Sequence, residues 1–579
     1  MDRKGIIAVT IAVLVLLIWQ IKFAPMFMPP APPPGQTASG SPAPSAGITP
    51  GTAAIPEGAP VVSAVPAPAA TPAEAKVPEQ LTAIAGPAAR YHFTNLGGGI
   101  SRTELTGYAA ESGSDVDLNE FGTLPIGAVS EQPAQGADLP YTVTTQGGNT
   151  VLCVRNEAGG LSISKKFTLP ASVSDARGYR LTLDVSFANH GAKPIQSAGY
   201  YMYVGSAAPI HQRDLPIYTA FDWDIQGGKS TQINVTWFNA HKIPLVGIET
   251  QPEQSVYGVE ADKIGWAAIS SQFFTTVIAP QNGAAGTGVW AHRFPVKTES
   301  RDVLAIEGAV RLPAFALSPG QTAVQSVEIY AGPKIYEVLS SLGDGQQHIL
   351  NFGMFGPVSV FLLRSMNWLH GWTGSYAIAI IILTLCIRGI LWPIQNKATA
   401  SMRQMQELQP RMTELKEKYK DDPTRMNTEV MKLYKEYNIN PLAGCLPMFI
   451  QMPIFFGFYR MLGTAIELRG SRFLWVHDLS QPDTVFHLPG LGFPVNILPI
   501  CMAVTMILQM MMQPKSGDQS QQKMLMFVPL IFVVFCYNFA SALALYYTIQ
   551  NVFSITQLYV TRKRTAPAPF KPPVKRKTR

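Results

Sequence analysis

The stretch "IIILTLCIRGILWP" places Arg388 in an apolar run, five residues before Pro393 and so about 7 Å along a helix. Burying a guanidinium in hydrocarbon costs several kcal/mol even with snorkelling. One reading is a lipid-facing arginine that reaches down to phosphates. The other is an arginine lining a wet cavity between helices, with Thr384 one turn away on the same face. Gln451, Gln509, Asn538 and Gln550 are further polar residues in or beside apolar runs. Singly, such residues act as helix–helix glue; together they could line the same cavity. Pro447 and Pro453 free backbone carbonyls and permit bending where neighbours or water satisfy those groups. A positive, hydrated notch would attract carboxylates on a hydrophilic segment and shorten its dry path through a membrane. Tyr546, Tyr547, Met502 and Met506 would offer apolar segments a surface to slide on. This is chemistry of passage. Bond-making has no visible machinery: there is no nucleophile–base motif, phosphate loop or metal-ligand spacing, and no cofactor is expected. The five cysteines show no pairing pattern, and four lie in apolar runs as small hydrophobes.

The elements that must position these residues follow from composition and charge. The chain has 579 residues, 14% charged and 47% hydrophobic, which exceeds one domain and suggests membrane segments. Residues 1–24 read as an N-terminal transmembrane anchor, with Arg3 and Lys4 ahead of the apolar stretch; Trp19 to Phe23 make a poor cleavage site for a signal peptide, the competing reading. Residues 25–80 form a Pro/Ala-rich, disordered linker. Residues 81–332 are a β-sandwich: "YRLTLDVSFANHG" alternates Leu181, Leu183, Val185 and Phe187 with Thr182, Asp184 and Ser186. Residues 333–372 are an amphipathic region lying at the outer interface. Transmembrane helices are expected at 373–394, 441–463, 494–512, 524–538 and 541–560. The loops between them are 395–440, 464–493 and 513–523, and the tail is 561–579. The 395–440 loop has nine Lys and Arg between Lys397 and Lys435, and the tail has eight. The positive-inside rule puts both, and the N-terminus, in the cytoplasm, and the β domain and the 464–493 loop on the far side.

The 395–440 loop divides at Asp421–Asp422–Pro423 into two helices. Met402, Met405, Leu408 and Met412 form a helical stripe, as do Met426, Val430 and Leu433 with Tyr434. The stripes pack the helices as an antiparallel hairpin, or offer an adaptable surface to apolar partners. The tail residues Arg562, Lys563, Arg564, Lys571, Lys575, Arg576, Lys577 and Arg579 suit either ribosomal RNA or anionic lipid.

"YNINPLAGCLPMFIQMPIFFGFYRML", "IRGILWPIQNKATASMRQMQELQPRM", "FLWVHDLS", "QQKMLMFVPLIFVVF" and "LALYYTIQNVFSI" resemble the YidC/Oxa/Alb family of membrane protein insertases. "GWAAISSQFF" and "YAGPK" are similar to its longer bacterial members. The resemblance implies a multidomain fold: an all-β periplasmic supersandwich, an α-helical polytopic membrane core and a cytoplasmic helical hairpin, in the bacterial inner membrane. It also implies a groove open to cytosol and lipid, with the family's arginine, threonine and tyrosine at Arg388, Thr384 and Tyr547. Implied partners are nascent and newly made membrane proteins, the Sec translocon, the ribosome, the signal recognition particle or its receptor, and lipid; a monomer suffices. Ala540, Ser541 and Ala542 stand where the family commonly has Pro-Ser-Gly, so a blunter turn is expected there. An assembly chaperone without autonomous insertion and a solute transporter are the alternatives.

Overall fold

The computed structural model describes residues 77–111, 113–174, 176–211, 214–226, 230–242, 249–281, 286–298, 302–437, 446–490, 492–513, 532–534 and 536–564. The expected N-terminal anchor, the linker up to residue 76, the 514–523 loop, most of the 524–538 span and the tail beyond residue 564 lie outside them.

The strands begin with an antiparallel meander of Leu81–Ala85, Ala89–Thr94, Gly99–Ala109 and Asp115–Leu118. A 13-stranded sheet follows, centred on Val256–Ser270. The first part of this long strand pairs with Gly286–Lys297, and its last part lies between Ala220–Ile225 and Phe274–Pro280. Register shifts between Glu260 and Ile264, where Lys263 adopts a φ of 65°. Such a bulge bends a strand. The two arms face each other: a Cβ on Gly127, beside the Tyr201–Ala207 strand, would strike Leu183 and Phe167 from the opposite arm. This is the β-sandwich expected from the alternation, and Arg180–Asn189 buries Leu181, Leu183, Val185 and Phe187 as read.

One inward position of the strand Leu161–Thr168 holds Lys165, fully buried. Its Nζ donates to the carbonyls of Gly97 (2.6 Å) and Gly127 (3.3 Å) and lies 4.3 Å from the centre of the Tyr141 ring. Burial pushes this amine down to about 7.

Among the described residues the helices are α1 Tyr336–Ser341, α2 Gly356–Thr373, α3 Tyr376–Glu407, α4 Gln409–Lys418, α5 Pro423–Glu436, α6 Leu446–Thr464, α7 Ile497–Met512 and α8 Ser541–Arg564. In α2, Leu362, Leu363 and Met366 are buried, while Phe361, Trp368 and Trp372 are exposed on the opposite face. Among the described residues one helix, α3, is long and apolar enough to cross a membrane, and α7 is a shorter apolar helix. α3 runs unbroken through Pro393 to Glu407, beyond the span bound expected at 394. Proline removes one hydrogen bond from so long a helix, and flanking packing holds the rest. The break comes at Leu408 instead, with Pro410 in the first turn of α4, where a missing N–H is harmless.

α4 and α5 pack against each other through Leu408 and Tyr434, with Met405, Met412, Val430 and Tyr437 around them. The Tyr434 hydroxyl donates to Met412 Sδ (3.3 Å), and Asp422 caps α5 by accepting from the Arg425 N–H (3.0 Å). Met402 and Met426 are half-buried outside this cluster.

The β domain is joined to the helices through the segment after α6. Gln272 Nε2 donates to the Gly463 carbonyl (2.8 Å), and Arg469 donates to the Ala109 carbonyl (2.6 Å) beneath the Phe274 ring. Gln481 reaches Asp214 at 3.3 Å. The same segment closes the turn before α8. Its Leu479 and Gln481 carbonyls accept from the N–H groups of Ala542 and Ser541 (3.0 and 2.9 Å), and the Ser541 hydroxyl donates to the Asp478 carbonyl. Partners from a distant loop thus satisfy the first donors of α8, despite Ala540 and Ala542.

Candidate functional site

Helix α8 lies against both α3 and α7, and along it runs a buried polar row. Gln550, Ser554 and Gln557 recur at helical spacing, with Asn551 beside them. Ser554 donates back to the Gln550 carbonyl of its own helix (2.9 Å), and the other three turn toward different neighbours. Gln451 Nε2 on α6 donates to Gln550 Oε1 (3.0 Å) and to the Tyr546 hydroxyl (3.2 Å). Asn551 Nδ2 reaches Thr505 Oγ1 (3.2 Å) on α7. Gln557 Nε2 donates to Asn396 Oδ1 (2.8 Å) on α3. Gln451, Tyr546 and Gln550 thus form one connected group.

Arg388, on α3, is 9% exposed, and no carboxylate among the described residues pairs with it. Tyr546 and Tyr547 are the groups within its electrostatic reach. Tyr546 stacks on Phe458 at 4.1 Å between ring centres, and Tyr547 is ringed by Phe455 and Phe532 at 5.8 and 5.1 Å. Thr384 is buried on the Arg388 face, but its hydroxyl donates back to the Ile380 carbonyl (2.7 Å). Met502 is fully buried against α8; Met506 and Gln509 are half-buried further along α7. The structure therefore brings Arg388, Gln451, Tyr546, Tyr547 and Gln550 together, and leaves Gln509 outside the connected group. The side chains of Arg562, Lys563 and Arg564, like the residues Lys571, Lys575, Arg576, Lys577 and Arg579, lie outside what is described, as does the side chain of Pro447.

Sequence reading singled out Gln550 and missed Asn551, Ser554, Gln557 and Thr505. The signal was present: the first three of these share α8 with Gln550 at helical spacing. What the site can do is bind and guide. Among the described residues, no group of three or more His, Cys, Asp or Glu could hold a metal ion. The cationic centre sits beside phenols and amides, all of them hydrogen-bonding groups.

The model of the YidC periplasmic domain matches residues 82–369, and that of the 60Kd inner membrane protein matches residues 368–568. The membrane protein insertase YidC of Syntrophus aciditrophicus (strain SB) is 30% identical over 584 residues, covering 97% of this chain and 100% of that one. The chain belongs to the YidC membrane protein insertase family. Another YidC, from Syntrophobacter fumaroxidans, is 30% identical over 96% of this chain and 99% of its own length. That of Citrifermentans bemidjiense is 38% identical over 304 residues, 52% of this chain and 53% of that one. Among solved structures, an active YidC insertase crystal structure with the first transmembrane domain resolved aligns over 84% of this chain and 93% of its own, at 19% identity and a TM-score of 0.34. A putative aldose 1-epimerase from Escherichia coli aligns over 44% of this chain and 99% of its own, at 11% identity and a TM-score of 0.27.

Proposed function

We propose that this YidC family member inserts membrane proteins into the bacterial inner membrane. It receives their hydrophilic segments at the Arg388 centre, from a groove open to cytosol and lipid, and releases their apolar segments sideways into lipid. The observation that carries this reading is the buried guanidinium of Arg388 beside Tyr546 and Tyr547, with no carboxylate partner among the described residues. A carboxylate arriving on a client would supply a counter-charge. The Gln451–Gln550 pair offers hydrogen bonds that replace lost hydration.

The arrangement of the helices supports a polytopic core with a cytoplasmic hairpin. α3 starts where His370 stacks on Tyr376, next to the segment that meets the β domain. Its 32 residues extend about 48 Å, more than the roughly 30 Å of hydrocarbon in a bilayer. The α4–α5 pair at its far end therefore emerges on the side opposite the β domain, with both chain termini on the hairpin side. Arg388 lies about 18 Å from the start of α3, in the inner half of the membrane. Helix α2, with Phe361, Trp368 and Trp372 outward, lies flat at the outer interface. On the cytoplasmic side the hairpin and basic tail meet the ribosome, the signal recognition particle or its receptor, and anionic lipid; the Sec translocon is the partner for larger clients.

Reconstitution of the purified protein alone in liposomes tests the reading. Protease protection of a small single-span client is the expected result. Client assembly without unaided insertion would instead favour an assembly chaperone, and flux of small solutes a transporter.

A further inference from the structure

Thr484–His487 pairs with Pro494–Asn496 in a small β-hairpin directly before α7. Val485, Phe486, Leu488 and Phe493 are 48%, 54%, 39% and 50% exposed. Val485 is unpaired, in a bulge between the Thr484–Asn496 and Phe486–Val495 pairs, and both it and Phe486 are about half open. A lone two-stranded hairpin is marginal in water, and one with this much open apolar surface is worse. Three further facts say what covers it.

The first is charge. Between Asp483 and Lys515 no Asp, Glu, Lys or Arg occurs, so His487 is the one side chain of hairpin and helix that could carry a charge near neutral pH, and a histidine is neutral above its ordinary range. The second is length. The 16 residues of α7 extend about 24 Å, short of the roughly 30 Å hydrocarbon layer. The third is continuity. Ile500, Val504, Ile507, Leu508 and Met511 form the exposed apolar stripe of α7, and Phe493, stacked on Tyr537 at 5.3 Å, extends it toward the hairpin.

We propose that the 484–496 hairpin is immersed in the outer leaflet, completing the depth that α7 lacks, with acyl chains as its partner. The 464–493 segment is then not wholly an aqueous loop. Its first part joins the β domain, and its last ten residues lie in lipid.

In hydrocarbon, polar backbone groups must be satisfied within the protein, and several of those at the hairpin are. The Leu488 N–H donates to the Phe493 carbonyl (2.9 Å) and the Gly492 N–H to the Leu488 carbonyl (3.0 Å). Pro489 and Pro494 have no N–H to satisfy. The Tyr537 hydroxyl donates to the Pro494 carbonyl (2.7 Å) and accepts from the Asn496 N–H (3.1 Å). Asp483 fixes the inner corner: its Oδ2 accepts from the Leu498 N–H (2.6 Å) and from Trp475 Nε1 (3.0 Å).

The test uses the full chain in liposomes of phosphatidylethanolamine and phosphatidylglycerol. With native cysteines replaced by alanine, nitroxide labels are placed at Val485→Cys, Phe486→Cys and Leu488→Cys. Val504→Cys on α7 and Val173→Cys, exposed in the β domain, are the references. Relaxation enhancement by oxygen should exceed that by a water-soluble nickel chelate at the hairpin, as at Val504, with the reverse at Val173. Hairpin labels that respond like Val173, or that are shielded from both reagents, overturn the proposal. A measurement without substitution runs beside it: a phospholipid with a diazirine on its acyl chain should label peptides from 484–493 on illumination. Labelling of 497–512 without 484–493 overturns it equally.

Discussion

Replacing Arg388 separates charge from shape. Its guanidinium is nine-tenths buried, with no carboxylate partner among the described residues, so a client carboxylate would meet a full positive charge. At 4 Å and an effective dielectric constant near 20, that attraction is about 4 kcal/mol. Water entering with the client and the loss of its own hydration take roughly half of this, which leaves about 2 kcal/mol, or close to thirtyfold. Arg388→Ala should therefore lower insertion of a client with an acidic translocated segment by about tenfold to a hundredfold. A matched client with a neutral segment should change by less than about threefold, because it gains little from the charge. Arg388→Lys keeps the charge and loses the planar fork, and should retain most insertion of both. The assay is protease protection in liposomes at equal protein content, with all three proteins and both clients. Equal loss on acidic and neutral clients would refute the electrostatic argument, and so would an alanine variant that inserts the acidic client as well as the parent protein.

Three other outcomes are expected. Replacing the eight basic residues of the tail with Gln should reduce co-sedimentation with ribosomes strongly at low salt and little at high salt, since screening already suppresses the contact there; equal sedimentation of both proteins at low salt would exclude the tail as a contact. Burial pushes the Lys165 amine down to about 7 in the folded chain, against about 10.4 for an ordinary lysine, so the unfolded chain binds more protons between those values. Stability of the β domain should rise with pH across that window and be lowest below it; in thermal unfolding followed by circular dichroism, Lys165→Met should flatten this rise. Asp422→Ala removes the cap of α5 and should cost about 1 kcal/mol locally, read as faster hydrogen exchange within 423–436 and unchanged exchange in the β domain.

The β domain was legible where burial alternates, as in Arg180–Asn189, because a period of two is set locally by the strand. The same alternation put Lys165 on the inward side with Leu161, Ile163 and Phe167. What makes a buried amine tolerable there, two carbonyls from Gly97 and Gly127, was invisible, since those residues are 68 and 38 positions away. The candidate site shows the same divide. Arg388 and Gln451 stood out because polar residues in apolar runs are costly. The row Asn551, Ser554 and Gln557 carried the same signal, polar residues at helical spacing with Gln550, and gains its meaning only from the helices that α8 packs against. The span bound expected at 394 marks where apolar residues give way to polar ones, whereas the helix itself continues to Glu407, because a helix need not stop where its surroundings change. Contacts such as Gln272 with Gly463, 191 residues apart, depend wholly on how the parts dock.

Helix α3 is also a lever. One end is anchored beside the β domain and the other carries the α4–α5 pair, so a tilt of about 5° over its 48 Å would swing that pair by roughly 4 Å. Pro393 introduces a compliant point between the two, where one rung of the ladder is absent and bending is easiest. Arg388 lies on the stiff side of that point, five residues before it. A load taken up by α4–α5 would accordingly be absorbed first as flexure at Pro393, before it moved the arginine against Tyr546 and Tyr547. Bending at that point would move the α4–α5 pair while shifting Arg388 less than a tilt of the whole helix would.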